Sequence, residues 1–209
     1  MLLPITQYYI RELRPRLCGF LTKVIYSGKN IRFGKNLRAD SIPVIIIDKK
    51  SDLSIGSNLQ LGRDVEIRVH GSSKIIIADN VKLDRGIRIL SANNSTINIG
   101  YRTKIGLYTV LNGGDSITIG EKVLISGFVY LQTSMHGFKN KNLNVQDQGY
   151  LHSPIQLYND VWLGTHVVIM PGCILEKGVV VGSNGVVNKN VAEYTIVAGI
   201  PAKPIKTRD

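Results

Sequence analysis

The stretch DVWLGTHVVIMPGCILEKGVVVGSNGVVNKNV, from Asp160 to Val191, decides the fold. An aliphatic residue returns in it at every sixth position: Leu163, Ile169, Leu175, Val181 and Val187. A period of six fits neither the 3.6-residue turn of an α-helix nor the two-residue alternation of a plain strand. It fits a short strand and a turn, repeated, with one aliphatic side chain directed inward each time. We therefore interpret the stretch as part of a solenoid of stacked β-coils.

The repeat extends upstream with a second, longer period. Hexads in the same place of successive coils begin at Phe33, Ile55, Ile77, Ile99, Ile119, Leu157 and Leu175. The last step, 18 residues, is three bare hexads and predicts one three-sided turn. Longer steps carry their extra residues at one place in the cycle, and the largest insertion covers residues 137–153. The sequence thus predicts an all-β solenoid of triangular cross-section with about seven coils over residues 30–200. An antiparallel β-sandwich is disfavoured because its strands keep no six-residue register.

Charge is concentrated near the N-terminus of the 209-residue chain. The net charge is +11, and residues 1–50 contribute ten basic against three acidic residues. Within residues 1–29, the mixture of aromatic, aliphatic and basic residues predicts one or two short helices bent near Pro15. We expect this segment to cap the open end of the solenoid, as terminal repeats require. Contact with an anionic membrane surface is the alternative.

Several further expectations concern location and partners. No stretch approaches the 18 consecutive apolar residues of a membrane span, and no signal-peptide pattern opens the chain. We expect a cytoplasmic protein, with peripheral contact on the inner face of the cytoplasmic membrane as an option, and no nucleic-acid partner. Residues 201–209 are expected to form a basic tail. Cys18 and Cys173 provide no disulfide framework, and Cys173 occupies a hexad position that predicts packed core.

The segment NDVWLGTHVVIMPGCILEKGVVVGSNGVVNKNVAEYTIVAGIPAKPIK, residues 159–206, resembles the C-terminal half of hexapeptide-repeat acyltransferases. It is most similar to the maltose and galactoside O-acetyltransferases and to those of lipopolysaccharide and capsule synthesis. The resemblance implies a left-handed parallel β-helix, and it alone supplies the handedness, since chain chirality favours right-handed crossovers. It also implies a homotrimer with active sites between subunits and acetyl-CoA as the donor. The acceptor it implies is a sugar hydroxyl of a surface polysaccharide, such as O-antigen or capsule, or of its precursor.

The resemblance also assigns roles to individual residues. His136, at the start of the long insertion, is the implied general base, because a neutral imidazole can take the proton of an attacking hydroxyl. The backbone N–H of Thr165 is the implied donor to the developing oxyanion, and Trp162 the implied contact of the pantetheine arm. The remaining cofactor contacts implied are Ser183, Asn188, Lys203 and Lys206. We place Tyr108, Asn112 and His166 beside the acceptor.

Other interpretations stay open at this point. His136 could be a solvated loop histidine, and Lys203 and Lys206 a solvated tail. An N-acyltransferase acting on a nucleotide-linked amino sugar would share the fold and the donor, with Asp115 and Asp147 as candidates to line a pocket for the amine. A non-catalytic scaffold is the alternative of another class. We expect His70 and His152 at the surface, and no metal, because no closely spaced pair of histidines occurs.

Overall fold

The computed structural model describes residues 2–209, which form an N-terminal helical segment and a three-sided parallel β-solenoid of about seven turns. Three sheets form the faces of the prism. Sheets 1 and 3 have seven strands each, and sheet 2 has nine. The first corner joins sheet 1 to sheet 2, the second joins sheet 2 to sheet 3, and the third returns to sheet 1 in the next coil. The all-β solenoid that the hexads predict is confirmed.

The strands are short, as the hexads require. Sheet 1 contains Ile31–Phe33, Asp52–Ile55, Lys74–Ile77, Thr96–Ile99, Ile117–Ile119, Ile155–Leu157 and Ile174–Leu175. Sheet 2 contains Arg38–Ala39, Gln60–Leu61, Lys82–Leu83, Lys104–Ile105, Leu124–Ile125, Trp162–Leu163, Val180–Val181, Thr195–Ala198 and Lys203–Thr207. Sheet 3 contains Val44–Ile47, Glu66–Val69, Arg88–Ser91, Val110–Gly113, Tyr130–Gln132, Val168–Ile169 and Val186–Val187. A separate antiparallel hairpin pairs Ser134–His136 with Tyr150–His152.

The register of sheet 1 agrees with the predicted alignment of hexads. Phe33 pairs with Ile55, Ile55 with Ile77, and the same row continues through the later coils. It ends with Ile119 paired to Leu157 and Leu157 to Leu175. The extra residues of the longer coils all lie at the third corner, between a strand of sheet 3 and the next strand of sheet 1. The place of the insertions was therefore predicted correctly.

Stacked aliphatic side chains fill the prism. In sheet 2 the inward row Leu83, Ile105, Ile125 and Leu163 is at most 2% exposed. Each such side chain stabilises the fold by about 1.5–3 kcal/mol through burial. Cys173 joins this core at 2% exposure, and burial raises the pKa of its thiol. The prediction of Cys173 as a core residue is confirmed.

The N-terminal segment comprises an α-helix Leu2–Tyr8, a π-helical turn Tyr9–Leu13 and an α-helix Arg14–Ile25. The wide turn has a local cause at Pro15, which has no N–H to donate to the carbonyl of Arg11. The N–H of Arg14 donates instead to the carbonyl of Tyr9. The free carbonyl of Arg11 accepts from Nη2 of Arg38 at 2.7 Å. The irregularity that the sequence predicted near Pro15 is thus a π-helical turn between two α-helices.

The second α-helix packs on the first coil through one face. Pro15, Gly19 and Thr22 are the buried residues of that face. A Cβ on Gly19 would lie 2.1 Å from the carbonyl oxygen of Leu37, so glycine permits the close approach of helix and coil. The predicted helical cap is confirmed. Among the described residues, no helix has both the length and the apolar character needed to cross a bilayer.

The C-terminal residues extend the solenoid. Lys203–Thr207 pairs antiparallel with Thr195–Ala198 and adds the last strand of sheet 2. Nη1 of Arg208 donates to Oδ2 of Asp160 at 2.9 Å and to the carbonyl of Gly178 at 3.0 Å. The segment that the sequence described as a tail is thus part of a sheet and tied to the first corner.

Candidate active site

Trp162 stands on the outer face of sheet 2, with its side chain about half exposed. The strand register places Leu124, Trp162, Val180, Ile196 and Lys206 in one outward row. We call this set the Trp162 row. Because neighbouring strands lie about 4.8 Å apart, Lys206 is about 14 Å from Trp162 along the row. Lys203 pairs with Ala198 on the same face. The structure thus brings three of the predicted cofactor contacts to one face.

Thr165 and Ser183 lie at the second corner, one coil apart, at the edge of that face. A Cβ on Gly164 would lie 2.6 Å from the backbone nitrogen of Ser183, so glycine leaves room for the next coil. The hydroxyl of Thr165 donates to the carbonyl of Gly127 at 2.9 Å. The backbone N–H of Thr165, in contrast, has no hydrogen-bond acceptor among residues 2–209. A free, fixed donor of this kind can stabilise an oxyanion.

An aromatic stack runs along the second corner below Thr165. The ring of His166 lies 4.9 Å from that of Phe128 with an angle of 1° between the planes. Phe128 in turn lies 5.5 Å from Tyr108 at 28°. The guanidinium carbon of Arg85 is 5.8 Å from the centroid of Tyr108. We call Tyr108, Phe128 and His166 the aromatic stack.

Sequence reasoning singled out Tyr108 and His166 but missed Phe128. The signal for it exists in the sequence, because all three residues occupy the fourth position of hexads in successive coils. An alignment of hexads by position would have placed Phe128 between the other two.

Asn112 and Asn188 lie along sheet 3, away from the Trp162 row. Asn112 is in the strand Val110–Gly113, where its Nδ2 donates to the hydroxyl of Tyr130 at 3.3 Å. Asn188 is exposed and directly follows the last strand of sheet 3. No hydrogen bond joins either side chain to the aromatic stack.

His136 ends the first strand of the hairpin at the third corner and is exposed. Its ring centroid lies 4.2 Å from that of Tyr150 on the opposite strand. His152 is also exposed, and its Nδ1 lies 2.8 Å from the hydroxyl of Ser134. His70, at the third corner of an earlier coil, is partly exposed. The hairpin thus carries His136 outward from the solenoid.

Within one chain, His136 and Thr165 belong to different corners. Sheet 3 separates the second corner from the third, and one side of the prism spans roughly 20 Å for six residues. The free N–H of Thr165 and the imidazole of His136 therefore do not converge in a single copy.

The two candidate carboxylates of an amine pocket are not brought together. Asp115 lies at the third corner, where its Oδ1 accepts from the backbone N–H of Ser116 at 2.6 Å. Asp147 accepts from Nδ2 of Asn144 within the insertion at 3.1 Å. Among the residues that the structure describes, no group of three or more His, Cys, Asp or Glu is placed to hold a metal ion.

A basic cluster lies on sheet 2 below the Trp162 row. The outward row continues from Leu124 to its neighbour Lys104 and then to Lys82. Arg102 and Lys122 stand beside them at the first corner, and Lys104, Arg102 and Lys122 line one depression with Leu124. Within residues 2–209, no carboxylate lies within 4.0 Å of any of the four cations. Lys82, Arg102, Lys104 and Lys122 form the basic cluster.

Comparison with known proteins identifies relatives, although no family model matches the chain. The acetyltransferase named Rv3034c, of Mycobacterium tuberculosis, is 29% identical over 148 residues, which is 71% of this chain and 49% of the relative. WbbJ of Escherichia coli K12, named for O-acetyl transfer in lipopolysaccharide biosynthesis, is 38% identical over 99 residues, or 44% of this chain and 50% of the relative. The chain thus spans about half the length of the curated relatives it matches.

Solved structures give the same picture. A hexapeptide-repeat acetyltransferase of Vibrio cholerae O1 biovar eltor, complexed with acetyl-CoA, is similar with a TM-score of 0.51 and 35% identity over 54% of this chain and 61% of that one. In fold alone, the N-acyltransferase AntD of Bacillus cereus matches 91% of this chain and 89% of its own, with a TM-score of 0.59 and 23% identity. The resemblance stated from the hexads is therefore confirmed, and the chain is related to the acetyltransferases of the hexapeptide-repeat family.

Proposed function

We propose that this chain transfers an acetyl group from acetyl-CoA to a hydroxyl of a sugar in a surface polysaccharide or its precursor. The observation that carries the proposal is the free backbone N–H of Thr165, at the edge of the face that bears Trp162 and Lys206. The indole offers an apolar surface for a pantetheine arm, and the ammonium groups of Lys203 and Lys206 attract phosphates. The names of the relatives support the same reaction class.

The reaction is a direct transfer. The hydroxyl oxygen of the acceptor attacks the thioester carbonyl carbon, so a C–O bond forms as the C–S bond breaks. His136 accepts the hydroxyl proton and passes it to the departing thiolate, which leaves as free CoA thiol. The N–H of Thr165 donates to the carbonyl oxygen while it carries negative charge. Because a thiolate is a good leaving group, no covalent enzyme intermediate is required.

The separation of His136 and Thr165 supports assembly as a homotrimer with sites between subunits. Each site would combine His136 of one copy with Thr165 and Trp162 of a neighbour, since the two parts lie at different corners of one chain. The exposed hairpin is well placed to reach a neighbouring prism.

A parallel assay tests the activity. The chain is incubated with acetyl-CoA and, separately, with free sugars, isolated surface glycans and nucleotide-linked amino sugars, and released thiol is measured. We expect turnover with the hydroxylated sugars or glycans, and a His70→Ala variant as control should match the unaltered chain. Turnover only with the nucleotide-linked amino sugars would identify the chain as an N-acyltransferase instead. If none of the three classes of acceptor supports thiol release, the proposed activity is contradicted.

The basic cluster fits the N-acyl alternative, and it fits a diphosphate-linked precursor of the O-acetyl reaction as well. Four cations without carboxylate partners, next to Leu124 of the Trp162 row, suit an acceptor that carries phosphate. Sugars linked through a diphosphate, whether to a nucleotide or to a lipid, have that charge. Neutral glycans do not.

Replacement of Lys104 with glutamine tests whether the acceptor carries phosphate. Because a charge-assisted hydrogen bond contributes about 1.5–3 kcal/mol, the KM for such an acceptor should rise by about 10-fold or more while kcat stays unchanged. Steady-state kinetics with a nucleotide-linked sugar and with a neutral sugar measure this. The matched control is Lys74→Gln, because Lys74 is equally exposed but lies in sheet 1. If the unaltered chain, Lys104→Gln and Lys74→Gln have the same KM for the nucleotide-linked sugar, the basic cluster does not bind the acceptor.

We place the protein in the cytoplasm, with peripheral contact at an anionic membrane through its second α-helix. Leu17, Phe20 and Val24 are 53%, 62% and 59% exposed, on the side of the helix opposite to its packed face. Arg14 and Arg16 flank this apolar strip, with Nε of Arg14 buried and Arg16 ion-paired to Glu12 at 3.0 Å. Basic groups near an anionic surface contribute about 1 kcal/mol each, and apolar side chains can enter the interface.

The double substitution Phe20→Glu with Leu17→Glu should abolish vesicle binding without changing the thermal transition, because both side chains point to solvent. Sedimentation with phosphatidylserine vesicles measures the bound fraction. Added salt should weaken binding, since the attraction is screened beyond about 10 Å at 0.1 M. Equal sedimentation of the double variant and the unaltered chain would exclude this face as the contact.

A further inference from the structure

The aromatic stack stands on a positive-φ backbone that recurs at the corners of this solenoid. Tyr108, Phe128 and His166 have φ angles of 52°, 60° and 57°. At the same corner, Asp64 and Asn184 adopt this conformation, which Asn and Asp tolerate well. For bulky aromatic residues it costs about 1–3 kcal/mol. Tyr108 and Phe128 are 48% and 45% exposed, so about half of each side chain is buried, largely against the other rings of the stack. The contacts among the three rings therefore help to offset this cost.

The stack fixes the plane of the imidazole of His166. Phe128 covers one face of that ring with nearly parallel planes, and Tyr108 supports Phe128 from below. Tyr108 itself lies against Gly86, where a Cβ would come within 2.3 Å of its ring. Rotation of the imidazole out of the stack would lose these contacts.

A count of hydrogen-bond donors then assigns the tautomer of His166. The hydroxyl of Thr165 has one proton and donates it to the carbonyl of Gly127 at 2.9 Å. The same oxygen lies 3.1 Å from Nδ1 of His166. With its proton given to Gly127, the hydroxyl accepts at Nδ1, and Nδ1 carries the proton in that arrangement. In the neutral ring, Nε2 is then left with its lone pair.

The position of Nε2 suggests its use. Among the described residues it has no hydrogen-bond partner, and the side chain of His166 is exposed. Thr165, the preceding residue, supplies the free backbone N–H that we propose as the donor to the thioester carbonyl oxygen. We propose that Nε2 of His166 accepts a hydrogen bond from a hydroxyl of the acceptor sugar, with Thr165 and Phe128 as positioning residues. This inference rests on the proposed function and deepens it, because His136 still takes the proton.

The tautomer can be measured without any acceptor. In protein labelled with ¹⁵N-histidine, at about pH 8.5 where an ordinary imidazole is neutral, long-range ¹H–¹⁵N spectra distinguish the two forms. We expect Nδ1–H for His166, and a shift toward Nε2–H in Thr165→Val, which removes the hydroxyl and keeps the backbone N–H. His70 serves as the reference ring. A predominant Nε2–H form of His166 in the unaltered chain would overturn the inference.

Kinetics test the contact itself. His166→Asn keeps a residue that tolerates the positive φ, but its acceptor Oδ1 is too short to reach the position of Nε2, so the KM for the sugar should rise about 3- to 10-fold. The KM for acetyl-CoA should stay unchanged, and His166→Gln, whose Oε1 has similar reach, should restore part of the loss. An unaltered KM for the sugar in His166→Asn would refute the contact. Absence of transfer by the unaltered chain would instead refute the proposed function, and the tautomer spectrum would still decide the positioning.

Discussion

Replacement of His136 with alanine is expected to lower kcat for acetyl transfer by roughly 10²- to 10⁴-fold, the range for loss of a general base. The thermal unfolding transition should be unchanged, because His136 is exposed and its ring contact is with Tyr150 of the same hairpin. Thiol release from acetyl-CoA with the best acceptor, together with calorimetry, measures both quantities.

The hairpin offers a matched control. His152 lies on the opposite strand, is equally exposed, and contacts Ser134 and the ring of Tyr150. His152→Ala should perturb the hairpin to a similar degree but retain most of the activity. Equal rates for His136→Ala and the unaltered chain would remove His136 from the mechanism. Equal losses in both variants would indicate a structural role for the hairpin.

Mixed assemblies should recover activity that neither parent has. One parent is His136→Ala, and the other is Ser183→Trp, which fills the groove beside Thr165 and leaves the fold intact because Ser183 is exposed. If each site takes His136 from one copy and Thr165 from its neighbour, random 1:1 mixing leaves about one site in four intact. Co-expression and thiol release should therefore give about a quarter of the activity of the unaltered protein, many times that of either parent.

Two controls accompany this experiment. The mass of the assembly in solution should be three times that of the chain, and separately purified parents mixed without exchange should stay inactive. Mixed assemblies no more active than their parents would place the whole site within one chain. A fully active monomer would lead to the same conclusion.

The sequence determined the coil register because each hexad contributes one inward aliphatic residue. If the strand pairing slipped by one residue, so that Ile119 paired with a residue next to Leu157, buried side chains would turn to solvent. The sequence also located the third corner, because the extra residues of the longer coils fall between hexads and not within a strand. The contacts of Phe128 depend on which hexads superpose at the second corner, so three-dimensional alignment of the coils was needed to find them.

Other features depend on long-range contacts that no local pattern encodes. The π-helical turn before Pro15 leaves the carbonyl of Arg11 without a donor from the helix, and Arg38 of the first coil supplies one. The strand Lys203–Thr207 contains a proline, which disfavours the interior of a sheet but is tolerated at an edge. The free N–H of Thr165 is visible only once every neighbouring acceptor is placed.

The position of the long insertion has a consequence for how such an enzyme could diversify. Residues 133–154 leave sheet 3 and return to sheet 1 without changing the registers of Ile119 with Leu157 or of Leu131 with Ile169. The loop can therefore be exchanged as a module, while the face that bears Trp162 stays constant. Grafting the corresponding loop of a relative onto this scaffold would test whether the loop, rather than His166 and the basic cluster, sets the acceptor preference. The fold thus allows the segment that carries the proposed general base to change independently of the face that we assign to the donor.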